Sequence, residues 1–145
     1  MNTFEQSLAY VPNEHDLGVV QSIPVDSLPK ISVIIPSLNQ AEFLSDTLES
    51  VISQGYRNLE IFVADGGSAD GTVSLLQQFQ GRHKGLLRYV SESDHGQYQA
   101  VNKGIDATTG EIIAWINSDD VYLPETFWKV VSPSRLFRPL GGSRL

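Results

Sequence analysis

The chain contains no cysteine. Disulfides, thiolate metal sites and cysteine nucleophiles are therefore excluded, and cysteine usage says little about the compartment. No apolar run approaches 18 residues, so no membrane-spanning helix is expected. The N-terminus lacks the basic start and apolar core of a secretion signal. A cytoplasmic location is the default expectation, with peripheral attachment to a membrane through a partner as the alternative. Basic residues are scarce, 10 Lys and Arg against 17 Asp and Glu, for a formal charge of −7. That balance argues against general nucleic-acid binding, which needs a basic face. It is compatible with an anionic small ligand bridged to the protein by a metal. No G-x-x-x-x-G-K-[ST] occurs, which excludes a P-loop. The glycines at 66, 67 and 71 lack G-x-G-x-x-G spacing and follow the second expected strand rather than the first, so they are not a dinucleotide fingerprint.

What is present is an alternation of apolar runs and helical stripes in a chain of 145 residues, 41% of them hydrophobic. This length supports at most one domain, burying roughly two-thirds of its unfolded surface. Residues 1–29 are interrupted by Pro12, Pro24 and Pro29 and read as an extended arm, with a short strand near 19–23. Residues 31–36 read as a strand from their β-branched content, ended by Pro36. Asn39 and Glu42 have N-cap and N3 spacing for a helix carrying Leu44, Leu48, Val51 and Ile52, stopped by Gly55. A second strand is expected over 59–64. The turn Asp65-Gly66-Gly67-Ser68 then leads to a helix striped by Val73, Leu76 and Phe79, with Ser68 or Asp70 as its cap. A third strand over 86–91 precedes a helix over about 97–107 with Tyr98, Val101 and Ile105 on one face.

The stretch 112–120 orders the rest. Five apolar residues, expected to form a strand buried on both faces, are followed at once by Asn117, Ser118, Asp119 and Asp120. Pro124 suits the first turn of a short final helix bearing Phe127, Val130 and Val131. The composition then changes. Residues 132–145 hold three arginines, two prolines and a Gly-Gly, with no acid, and read as a disordered or out-of-frame tail. The alternation implies an α/β fold with a mostly parallel open sheet and helices on both faces. Polar residues cluster just after each strand: Ser37 and Asn39, then Asp65, then Asp94, then 117–120. In a parallel sheet all four groups share one edge, where ligands of such folds bind.

Each group has a structural reading beside its chemical one. Asp119 and Asp120 are hard oxygen ligands suited to Mg²⁺ or Mn²⁺ with a diphosphate, or else a solvated acidic turn before Pro124. Asp65 tightens a glycine turn or accepts N–H bonds from a base such as uracil. Asp94 caps a helix or faces a ligand. Lys103 reaches a phosphate or lies on a solvated helix face. Asn39 is open to full use as a cap, His95 reads as an exposed loop residue, and Trp115 as core.

Four segments in order resemble the nucleotide-binding half of a family 2 glycosyltransferase of the GT-A fold: Ser32-Val33-Ile34-Ile35-Pro36-Ser37-Leu38-Asn39, Asp65-Gly66-Gly67-Ser68-Ala69-Asp70-Gly71-Thr72, Ser91 through Gly104, and Trp115-Ile116-Asn117-Ser118-Asp119-Asp120. The likeness covers about residues 30–131. It implies a Rossmann-like fold and transfer of a sugar from a nucleotide diphosphate donor, most often UDP-linked, with inversion at the anomeric carbon. It places Pro36, Ser37 and Asn39 at the base and ribose and Asp65 at the uracil edge. It sets Asp94 and the following helix, with Lys103, against the nucleotide. Asn117, Ser118 and Asp119 fall at the D-x-D position, with Asp119 and Asp120 as ligands of Mg²⁺ or Mn²⁺. A saccharide or lipid-linked acceptor is implied for the full-length parent.

Two departures matter. Asn117 replaces the commoner aspartate and adds no charge. After Glu125 there is no Asp or Glu at all, so the general base that takes the acceptor proton has no candidate at the expected place. The expectation is a donor-binding domain, incomplete on its C-terminal side, with a non-catalytic nucleotide-binding or interaction module as the alternative. An apolar strand over 112–116 at an open sheet edge would favour self-association.

Overall fold

The computed structural model describes residues 24–136. The expected strand near 19–23 and the tail beyond residue 136 lie outside them. A short 3₁₀ turn (Val25–Ser27) leads into β1 (Ile31–Ser37), α1 (Leu44–Ile52), β2 (Leu59–Asp65), α2 (Thr72–Arg82), β3 (Leu87–Ser91), α3 (Gln97–Ala107), β4 (Ile112–Trp115) and α4 (Thr126–Leu136). The first five residues of the expected tail, 132–136, continue α4.

The strands form one parallel sheet in the order β3-β2-β1-β4. Alternation along β1 assigns its two faces. Ile31, Val33 and Ile35 join Leu44, Leu48 and Val51 of α1, Leu76 and Phe79 of α2, and Phe127, Trp128 and Val131 of α4 in the larger core. On the other face Phe62 and Ala64 of β2 pack with Ala100 of α3. Each fully buried aliphatic or aromatic side chain here contributes about 1.5–3 kcal/mol. The fold is thus α/β with helices on both faces, three against one.

The helix over 97–107 is where the sequence misleads. Its expected apolar face fails, because Tyr98 is 71% and Ile105 46% exposed. The face on the sheet is instead the small one, Ala100 and Gly104. A Cβ on Gly104 would stand 2.4 Å from Cγ2 of Ile34, so the helix backbone approaches β1 too closely for a larger residue. Periodicity marked the larger side chains, whereas contact selected the absence of one.

Two further expectations are corrected. Residues 112–115 are not buried on both faces. Ile112 and Ala114 pack on the larger core, while Ile113 and Trp115 are 44% and 54% exposed, so Trp115 is not core. β4 has β1 as its one hydrogen-bonded neighbour among the described residues. Asn39 is not an N-cap either. α1 begins five residues later with no side-chain cap, and Asn39 sits in the left-handed region at φ 51°. Pro124 precedes α4 in a turn rather than starting it.

At the sheet edge opposite the clustered polar loops lies one buried acid that the sequence did not single out. The Glu60 carboxylate accepts hydrogen bonds from the Ser32 hydroxyl (2.6 Å) and the Thr109 N–H (2.7 Å), and pairs with Lys30 at 3.3 Å and Arg88 at 3.4 Å. Ser32 Oγ in turn accepts the Gly110 N–H at 2.8 Å. This cluster clamps the α3–β4 connection onto β1 and β2, and so fixes where β4 starts. Burial alone would raise the Glu60 carboxyl. The Ser32, Thr109 and Lys30 interactions outweigh it and hold the group below its ordinary 4.5. A carboxyl depressed in the folded state stabilises fully above its unfolded pKa, and that contribution is lost as pH falls through the lower folded value. Glu60→Gln should therefore be less stable than wild type by about 1–2 kcal/mol at pH ~6, with the gap closing towards pH ~3. Urea unfolding at the two pH values measures this, and a gap of equal size at both would contradict it.

Candidate functional site

All four strands run the same way, so the loops after them share one edge. The chain order turns back at β1, with β2 and β3 to one side and β4 to the other. A crevice outside the carboxyl ends of strands at such a reversal is the usual ligand site of open α/β sheets. A cavity of about 460 Å³ opens there. Pro36, Ser37, Leu38 and Gln40 come to it from the end of β1. Asp94, Gly96, Gln97 and Ala100 come from the end of β3 and the start of α3, and Asn117, Ser118 and Asp119 from the end of β4.

The loops are stitched to one another. The Asn39 N–H donates to Ser68 Oγ at 2.7 Å, and the Asn39 side-chain carbonyl accepts the Ala69 N–H at 2.9 Å. The Asp70 carboxylate accepts N–H groups of Ala41 (3.1 Å) and Thr72 (2.9 Å) as well as the Thr72 hydroxyl. The Thr72 hydroxyl first, then these N–H groups, hold the Asp70 carboxyl below its ordinary range. Asp70 thus bonds the first residue of α2 from outside the helix, whose N-cap is Gly71 without a side-chain cap bond rather than Ser68 or Asp70, while Asn39 bridges the first two loops. The Gly66 N–H donates to the Ser37 carbonyl (2.8 Å) and the Glu92 N–H to the Asp65 carbonyl (3.0 Å).

Asp65 is 1% exposed and does not line the cavity. Its oxygens accept the N–H groups of Gly67 (3.2 Å) and Ser68 (2.8 Å) and the hydroxyls of Ser68 and Ser91. The turn-tightening role is the one its surroundings fill. Lys103 is likewise away from the cavity, paired with Glu92 at 2.9 Å. Asp94 does line it. Its carboxylate accepts the Gly96 N–H at 3.0 Å, and a Cβ on Gly66 would lie 3.2 Å from its Oδ1. Gly66 therefore lets Asp94 lie against the second loop.

At the β4 end the two aspartates diverge. Asp119 lines the cavity, is exposed, and makes no hydrogen bond or ion pair to another described residue. The Asp120 carboxylate accepts a hydrogen bond from the Asn117 amide at 3.0 Å and is not part of the lining. The Asn117 side-chain oxygen in turn accepts the Gln97 side-chain amide of α3. Six of the ten expected site residues therefore meet at the cavity, namely Pro36, Ser37, Asp94, Asn117, Ser118 and Asp119. Asn39, Asp65, Lys103 and Asp120 surround or brace it.

Sequence reasoning did not single out Gln40, Gln97 or Ala100, and it missed a polar row that runs from α1 into the turn just past its end. Thr47 Oγ1 lies 2.7 Å from the Asp120 carbonyl and 3.0 Å from the Ser118 carbonyl. Ser50 Oγ accepts the Tyr122 N–H at 3.0 Å. Gln54 donates to the Leu123 carbonyl at 2.8 Å and accepts the Phe127 N–H at 3.2 Å. The signal was readable as polar residues at i, i+3 and i+7, two of them within an otherwise core-forming helix and Gln54 in the turn after it.

Two properties of the cavity bear on its ligand. The Ser37 hydroxyl is buried at the wall with no hydrogen-bond partner among the described residues. Such an atom costs about 1–3 kcal/mol unless something bonds it. Among the described residues the lining carries two carboxylates, Asp94 and Asp119, and no Lys or Arg. Among the described residues no group of three or more His, Cys, Asp or Glu is gathered that could hold a metal. The donor set therefore fits a cation shared with ligand oxygens, the usual manner of Mg²⁺, rather than an all-protein cage.

The family model for glycosyl transferase family 2 matches residues 32–135. A glycosyltransferase of Nostoc sp., described as uncharacterized, is 35% identical over 102 residues, 70% of this chain and 32% of its own length. The glycosyltransferase AglE of Haloferax volcanii is 38% identical over 95 residues, 64% of this chain and 31% of its own. The chain thus spans about a third of the length of the curated relatives it matches. Among solved structures, the mannosyltransferase PcManGT of Pyrobaculum calidifontis, in complex with GDP-Man and Mn²⁺, superposes with a TM-score of 0.67 at 24% identity, over 93% of this chain and 38% of that one. TarS of S. aureus with UDP-GlcNAc gives 0.62 at 23% identity over 72% and 30%. These two likenesses carry the fold. Among the described residues no helix is long and apolar enough to cross a membrane. With the family match spanning most of its length, the chain belongs to glycosyl transferase family 2.

Proposed function

We propose that this chain holds the donor in a glycosyltransferase that moves a sugar from a nucleoside diphosphate sugar, UDP-linked, to an acceptor hydroxyl with inversion. One observation carries the reading: a crevice at the strand-order reversal is walled by Asp94 and Asp119, with no basic residue in the wall among the described residues. A diphosphate entering that field is repelled unless a divalent cation comes with it. Asp119 would hold Mg²⁺ or Mn²⁺, with Asp120 held beside it by Asn117. Bound there, the cation would neutralise charge on the diphosphate leaving group. Pro36 and Ser37 would flank the base and ribose, with the Ser37 hydroxyl, which has no partner among the described residues, bonding the nucleoside. Asp94 and the start of α3 would close the opposite wall, while Asp65, Asn39 and Lys103 keep the loops in place. The reading assigns the acceptor's general base to no residue of this chain, since no Asp or Glu follows Glu125.

Calorimetric titration of UDP and UDP-sugars, with Mn²⁺ or with EDTA, tests this. Binding is expected in Mn²⁺, is lost in EDTA, and weakens by roughly 10-fold or more in Asp119→Ala. Equal affinity in EDTA would sink the cation assignment, and sugar transfer by the purified chain would overturn the assignment of the base.

The open edge belongs to the same reading. Ile113 and Trp115 are large, exposed and on a strand with one described neighbour. Such an edge templates pairing with another strand. Sedimentation velocity should show concentration-dependent association that Trp115→Lys reduces, whereas a strictly monomeric wild-type chain at high concentration would contradict it.

A further inference from the structure

We propose that Thr47, on α1 and outside the cavity, is a positioning residue for Asp119. Thr47 is fully buried. A mid-helix threonine ordinarily turns its hydroxyl back to a carbonyl of its own helix. Here the hydroxyl faces another segment, with the Asp120 carbonyl at 2.7 Å and the Ser118 carbonyl at 3.0 Å. Those carbonyls belong to the residues on either side of Asp119. The single Thr47 proton is shared between them, which sets the curvature of the turn and the direction in which the Asp119 side chain leaves it. The Asp119 carboxylate makes no bond to a described residue that would aim it. Its orientation therefore rests on its backbone. Ser50, one turn along α1, ties Tyr122 instead, so it braces the same segment without gripping the acidic turn.

This inference rests on the cation-dependent nucleotide site above, and its test separates the two. The Kd for UDP in saturating Mn²⁺ is measured by calorimetry for wild type, Thr47→Val, Thr47→Ser and Ser50→Ala. Amide hydrogen exchange over residues 117–122 and the thermal midpoint are recorded alongside. Thr47→Val, which keeps the shape and removes the hydroxyl, should raise Kd roughly 10-fold and speed exchange across the turn. Thr47→Ser, which restores a hydroxyl, should return Kd to within about twofold of wild type, and Ser50→Ala should leave it within about twofold. Thr47→Ala, the better helix former, carries the same expectation should the valine variant not fold. Wild-type affinity in Thr47→Val, a serine variant as weak as the valine one, or an equal loss in Ser50→Ala would each overturn the role of Thr47 while leaving the nucleotide site standing. A wild-type chain that binds no UDP in Mn²⁺ overturns both.

Discussion

The central position of β1 is the constraint on which the rest depends. All seven residues of β1 are buried, it pairs with β2 along its whole length, and it carries β4 on its other side. Because every strand is parallel to it, the loops that follow the strands emerge at one edge. Because the chain order reverses across it, the loops after β1 and β4 part and leave a crevice between them. The site is therefore a product of topology before it is a product of any side chain. The opposite edge is closed in a complementary way. Glu60, Ser32 and the 109–110 backbone form a buried polar clamp that fixes the start of β4 and hence its register on β1.

Electrostatics then narrows what the crevice can hold. Asp94 and Asp119 face it, and no described residue brings a positive side chain to its wall. In an acidic protein, that arrangement disfavours a bare phosphate and favours a cation or a cation-bridged anion. On the β1 side the buried Ser37 hydroxyl has no partner among the described residues. The two walls thus differ in kind, with neutral hydrogen bonding at one end and a free carboxylate at the other. A ligand with a polar organic half and a charged half matches that gradient, as a nucleoside diphosphate does.

Much of this was legible in the sequence, and the failures have identifiable causes. Strand positions followed from β-branched runs, and the convergence of Ser37, Asp94 and 117–119 followed from parallel topology alone. Three readings failed because contact overrode pattern. Asn39 has N-cap spacing, yet its side chain serves the neighbouring loop, a partner 30 residues away. Tyr98 and Ile105 have core periodicity, yet α3 meets the sheet through Ala100 and Gly104, where the closeness of the backbones matters more than apolar area. The run 112–116 is continuous enough for a strand buried on both faces, but burial of Ile113 and Trp115 depends on what lies beyond β4, which periodicity cannot report. The polar row of Thr47, Ser50 and Gln54 was visible as spacing, but its meaning needed the partners that only the folded chain brings near.

The central claim is that a cation-bridged nucleotide sits in the crevice with its charged end at Asp119. The most direct measurement is amide NMR of the labelled chain with UDP and substoichiometric Mn²⁺, whose paramagnetism broadens nearby signals. The account predicts broadening strongest at residues 117–120, extending to 94–97 and to Ser37, and absent from the Glu60 clamp at the far edge. Broadening spread over the acidic surface, or centred away from Asp119, would contradict it.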